Sequence, residues 1–168
     1  MPTVLTIGVY GSDGAAFFAA LEAAGADILL DLRTRRAVRG TRYAYANAKR
    51  LTAELDRRGI AYRHVLALAP GRDLLALQHA ADARERVAYS ARRVLDPEYV
   101  RRYVRDVLDR FDFGVLAGEL HDYRAPALMC VERFAVACHR GLVAPRLARA
   151  LHARDTVDLI PEPVGHTP

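Results

Sequence analysis

Apolar residues run almost without interruption over residues 3–10 and 26–32, the second run carrying Ile28, Leu29 and Leu30 in succession. Continuous runs of this length fit strands of a parallel sheet that is covered on both faces. Between them Gly8, Gly11, Ser12, Asp13 and Gly14 supply a turn, Phe17, Phe18 and Leu21 recur at helical spacing, and Gly25 stops the helix. Ser12 or Asp13 is placed to cap it. Leu51 and Leu55 then mark a helix over 49–58 that ends at Gly59, and residues 60–66 alternate as a third strand. A turn at 69–73 opens a long helical tract over 74–93. A second tract after Pro97 sets Tyr99, Tyr103, Val107 and Leu108 on one side and arginines on the other. Residues 113–120 read as a helix, 127–131 as a strand, Ala137 onward as a helix through Leu142, Val143, Leu147 and Leu151, and 155–160 as the last strand. Alternating strands and helices predict an α/β fold: a single-domain three-layer open sheet over residues 1–161, mostly parallel, with about five strands and covering helices. Residues 162–168 read as a frayed tail.

Charge changes this picture in one respect. The net charge of +5 is carried almost wholly by arginine, since Lys49 is the only lysine, and Arg33, Arg35, Arg36, Arg39 and Arg42 crowd into ten residues. Arginine suits bidentate contact with phosphate or carboxylate. The expected partner is therefore a small anionic or nucleotide-like ligand, with nucleic acid as the other candidate. No apolar run reaches the roughly 18 residues of a membrane span, and the first residues lack the basic-then-apolar pattern of a signal peptide. The expectation is a cytoplasmic protein with no membrane partner. Two cysteines do not make a disulfide framework in a chain of this size, and are expected as free thiols, catalytic groups or ligands.

The densest chemistry lies in residues 127–140, which gather thiols, a carboxylate, an imidazole and guanidinium groups. At a strand–loop–helix junction of a parallel sheet, Cys130 and Glu132 sit at the strand tip and Cys138, His139 and Arg140 at the helix start, where ligands bind in such folds. Cys130, Glu132 and His139 are the candidate catalytic groups. Cys130 is expected to be the more reactive thiol, with a moderately lowered pKa; a ligand role or a plain core position for it stays open. The cysteine and histidine spacings are not those of a zinc finger or ribbon, so no metal is assigned. Cys130, Glu132, Cys138 and His139 are nevertheless the residues from which a mixed zinc site would be built. The first loop has neither the Walker lysine nor the dinucleotide glycine spacing, and no cofactor motif is present. His64, inside the third strand, reads as structural.

Several stretches together resemble the domain of unknown function 488 family, small bacterial and archaeal α/β proteins. They are Thr6-Ile-Gly8, Leu30-Asp-Leu-Arg33, and above all Cys130-x-Glu132 with Cys138-His-Arg140. Arg39-Gly-x-Arg-Tyr-Ala-Tyr-Ala-Asn47, Gly59-Ile-x-Tyr-x-His64, and Ala69-Pro-x-Arg72 with Gln78 are similar to one branch of it. Val9-Tyr10 departs from the family's histidine or tyrosine followed by a small or acidic residue. The resemblance implies a fold and a site. With it, the residues expected to bind substrate or anion are Asp31, Arg33, Arg39, Tyr43, Asn47, Arg72 and Arg140. The leading reading is an enzyme acting on a phosphorylated or nucleotide-like substrate, with sulfur transfer as a minor subclass because Glu132 would oppose an anionic persulfide. The alternative is a non-catalytic nucleotide or single-stranded nucleic-acid binding module that uses the arginine and tyrosine loop 33–47.

Overall fold

Strands and helices alternate along the chain in the computed structural model, which describes residues 1–88 and 91–163. The strands are β1 (Thr3–Gly8), β2 (Ile28–Asp31), β3 (Ala61–His64), β4 (Pro126–Cys130) and β5 (Asp155–Leu159). All pairings are parallel, in the order β3-β2-β4-β1-β5. The α-helices are α1 (Gly14–Ala23), α2 (Ala48–Arg57), α3 (Arg72–Glu85), α4 (Pro97–Asp106), α5 (Phe113–Glu119) and α6 (Arg140–Ala150).

Period-two alternation along the strands divides the core into two apolar layers. Leu5, Ile7, Leu29, Ala127 and Met129 face α1 and α2 through Phe17, Phe18, Leu21, Leu51 and Leu55. Val4, Ile28, Leu30 and Leu128 face the other way, toward Leu74, Tyr99, Tyr103, Leu116, Val143 and Leu147 of α3 to α6. The result is the expected three-layer α/β sheet. Asp13 caps α1 by accepting from Ala16 N at 2.9 Å, and Asp96 caps α4 with Pro97 in the first turn.

Two expectations change. The strands are shorter than the apolar runs: β2 ends at Asp31, and residues 66–68, adjoining the expected end of the third strand, form a 3₁₀ turn. The helical tract over 74–93 stops at Glu85. Arg86 turns left-handed at φ 55°, and its N–H and that of Val87 bond back to Ala83 O and Asp82 O. The chain reverses there because Arg92 returns to a buried ion pair with Asp82. Residues 89–90 of that tract, and 164–168 of the expected tail, lie outside the described residues.

Candidate functional site

The carboxyl edge of the sheet brings the ends of β1, β2 and β4 side by side, Gly8 in register with Cys130 and Asp31 with Met129. After Cys130 the chain folds back over the tip of β1. A Cβ on Gly8 would lie 1.9 Å from Glu132 O, and one on Gly141 2.2 Å from Ala135 O, so backbone packs on backbone where only glycine fits. Tyr10 N donates to Val131 O at 2.8 Å. A 3₁₀ turn over Ala135–Ala137 then delivers Cys138 and His139 to the head of α6.

His139 is the hub of a buried cluster. Its Nε2 lies 3.1 Å from Leu32 O at the end of β2; a carbonyl can only accept, so Nε2 carries hydrogen and the neutral ring keeps its lone pair on Nδ1. Nδ1 stands 3.7 Å from Cys138 Sγ and 3.9 Å from Cys130 Sγ. The three atoms lie within 4.8 Å of one another, on side chains that are all buried. Tyr103 packs edge-on to the imidazole at 5.6 Å between centroids.

Glu132, also buried, joins a second polar chain. Its Oε1 is 3.4 Å from Arg92 Nη1. The Arg92 guanidinium grips Asp82 through Nε at 3.0 Å and Nη2 at 2.5 Å, and Gln78 donates to the same carboxylate at 2.8 Å.

These neighbours divide the acidity of the two thiols. Cys130 is pushed well up, first because it donates a hydrogen bond to Cys138, then by burial and by negative charge on Cys138 and Glu132. Cys138 is held well down: burial opposes the thiolate, but the hydrogen bond from Cys130 and the positive charges of His139 and Arg140 outweigh it. Burial lowers the His139 pKa, yet the charge and hydrogen bond of Cys138 raise it overall, helped by Glu132 and the Leu32 carbonyl. Glu132 is raised to about 7, mainly by burial and then by Cys138. The expectation that Cys130 carries the lowered pKa is thus corrected. The helix-side sulfur receives the donors, and the strand-tip sulfur supplies one.

The residues expected to bind anions separate into two groups. Arg33 is buried and bidentate on Asp31, with Nε–Oδ1 2.8 Å and Nη2–Oδ2 2.7 Å, while Nη1 donates to Ala46 O at 2.8 Å. Tyr62 Oη donates to the same carboxylate at 2.8 Å, and His64 Nε2 donates to Arg33 O at 2.8 Å. Arg140, with 0 % exposure, gives Nη1 to Glu132 O at 2.6 Å and Nη2 to Arg133 O at 2.9 Å. Asp158 of β5 is 3.5 Å from Nη2 and ties the same loop through Ala135 N. Both guanidinium groups therefore spend donors on the protein. Asn47 Oδ1 accepts from Val38 N at 2.7 Å, and Tyr43, edge-on to Tyr10, accepts from Gly11 N at 3.4 Å; both hold the 33–47 loop. Arg39 and Arg72 are exposed, as are Arg35, Arg36 and Arg42. The edge thus unites Asp31, Arg33, Cys130, Glu132, Cys138, His139 and Arg140 through bonds or shared backbone, and leaves Arg39 on an exposed loop and Arg72 exposed in the first turn of α3. Asp82, Arg92 and Asp158 escape a reading of the sequence: two sit in what reads as one continuous helical tract, and one is an ordinary acidic residue in a strand.

Cys138 also forms part of the wall of a pocket of about 370 Å³ lined by Thr6, Ala135, Gly141, Leu142 and Asp158 among others. No helix among the described residues is long and apolar enough to cross a membrane.

Fold and cluster define a parallel α/β protein with a buried cysteine and histidine centre at the carboxyl edge of its sheet. The chain belongs to the DUF488 family, a domain of unknown function whose profile matches residues 14–147. That span holds the Cys130, Glu132, Cys138, His139 and Arg140 signature; Thr6-Ile-Gly8 precedes it. Nothing among the curated proteins or the solved structures matches the chain.

Proposed function

We propose that the chain is an enzyme whose reaction centre comprises Cys130, Glu132, Cys138 and His139, and whose substrate is a phosphorylated or nucleotide-like anion. One observation carries this reading: both sulfurs face a single imidazole nitrogen whose tautomer is set by Leu32 O. Cysteines that merely fill a core need no such partner. A histidine oriented by its far nitrogen toward a sulfur has the arrangement of a base oriented toward a nucleophile, and the buried Glu132 carboxyl adjoins it as a proton carrier. Cys138 lies on the wall of a pocket of about 370 Å³, and a small molecule is expected to approach from that side. Arg33 and Arg140 are committed to protein acceptors, so we assign the anion contacts to exposed arginines, Arg39 and Arg72 foremost.

The second reading, a nucleic-acid binding module, draws on the exposed arginines 35, 36, 39 and 42 beside Tyr43. One comparison separates the two. Natively purified wild-type chain is denatured and the small molecules it releases are identified by mass spectrometry. The enzyme reading expects a phosphorylated compound, released in about one tenth the amount or less from Arg39→Ala/Arg72→Ala, a tenfold loss being the worth of one charge-assisted contact. It also expects Cys138→Ser to keep the compound unconverted. No released compound, with salt-sensitive binding of a labelled single-stranded oligonucleotide unaltered by Cys138→Ser, would establish the binding module instead.

A further inference from the structure

We propose that Cys130 Sγ, Cys138 Sγ and His139 Nδ1 are three ligands of one zinc-like divalent ion, with the Glu132 carboxyl as neighbour of its fourth position. The inference rests on the proposed reaction centre and names the ion that would serve it.

Three observations lead to it. The first is the spacing. Tetrahedral zinc with bonds of about 2.3 Å to sulfur and about 2.05 Å to nitrogen has N–S edges of about 3.6 Å and an S–S edge of about 3.8 Å. The two N–S separations here, 3.7 and 3.9 Å, exceed that edge by only a few tenths of an ångström. The second is the histidine. Ligating imidazoles commonly give their other N–H to a carboxylate or backbone carbonyl, which fixes the ring and leaves the opposite lone pair for the metal. His139 does this with Leu32 O. The third is rigidity. One ligand ends β4, the other two adjoin the head of α6, and the anchoring carbonyl follows β2, so the set hangs from the sheet and not from a loose loop.

The donor set selects the metal class. Two thiolates and an imidazole favour zinc and its tetrahedral analogues over magnesium or calcium, which require oxygen ligands. With three protein ligands the site has the form of a catalytic zinc centre, in which the fourth position takes water or substrate. Cys138 lies on the wall of a pocket of about 370 Å³, the side from which we expect the ion to enter.

Cobalt(II) tests this directly, because it substitutes for zinc and reports thiolate ligation through a sulfur-to-metal charge-transfer band. Reduced full-length chain, stripped with chelator, is titrated with cobalt(II) and then with zinc(II). The expected result is a charge-transfer band saturating at one cobalt per chain, bleached by one equivalent of zinc. Cys130→Ser and Cys138→Ser should each lower the band and weaken cobalt binding by at least about tenfold, given that even outer partners of a site are worth that much. Circular dichroism of the stripped variants shows whether they fold. For variants that do not, the wild-type melting temperature with and without zinc replaces the comparison, and a rise with zinc supports the site. Wild-type chain that gives no band and no zinc-dependent rise overturns the metal inference. Alkylation of Cys138 by iodoacetamide in that metal-free chain would leave the thiol reaction centre standing, so the two proposals fail separately.

Discussion

Arg140 shows how far a single side chain can depart from what its position suggests. At the first turn of a helix an arginine opposes the helix dipole, and a bound anion is the natural explanation from sequence. In the fold its guanidinium has turned inward, bracing carbonyls of Glu132 and Arg133 and reaching Asp158. Arg140→Ala would strand those carbonyls in a buried setting, and at about 1–3 kcal/mol for each unsatisfied buried acceptor the two together cost about 2–6 kcal/mol. Urea unfolding followed by circular dichroism is expected to show a loss of that size, with Arg140→Lys intermediate because an ammonium cannot span two carbonyls as a planar fork does. A loss below about 1 kcal/mol would return Arg140 to the anion-binding role. The same residues mark what was legible in the chain. Cys130, Glu132, Cys138 and His139 are close in sequence, so a strand–loop–helix pattern suffices to collect them. Their roles were less legible, because both sulfurs face one imidazole nitrogen whose tautomer is set by Leu32, a residue more than a hundred positions away.

At the level of elements, the strands and most helices follow from apolar runs, since burial on both faces leaves a pattern that few other arrangements share. The third helix is the exception: its period continues past the residue where the chain turns. The turn belongs to a tertiary pair, Asp82 with Arg92, which hydrophobic spacing cannot reveal. That pair makes a prediction with a definite sign. Burial works to raise the Asp82 pKa, but hydrogen bonds from Arg92 and Gln78 hold it below the ordinary aspartate value. A carboxylate whose folded pKa is depressed stabilises fully above its unfolded pKa, near 3.9, and loses that contribution as pH falls through the folded value. Wild type should therefore exceed Asp82→Asn in unfolding free energy by about 1.5–3 kcal/mol at pH 6, the worth of hydrogen bonds to a charged group. The gap should close below about pH 4. A gap independent of pH would mean that the charge contributes nothing.

For the whole molecule the decisive feature is strand order. β1, the first strand in sequence, lies between β4 and β5, the last two, while β4 also separates it from β2. A fragment of residues 1–124 retains only the β2–β3 pairing, and parallel pairs of this size do not stand alone. It is expected to give the circular dichroism of an unfolded or partly helical chain with no cooperative melt. A cooperative transition in that fragment would show that residues 1–124 are an independent unit. The order also bears on biosynthesis. A ribosome adding about 5–20 residues per second releases Thr3–Gly8 on the order of ten seconds before Pro126–Cys130 emerges to receive it. Through that interval an apolar β-strand waits without its partners, open to chaperones and to other nascent chains, and the cysteine and histidine centre cannot assemble until nearly all of the chain has been translated.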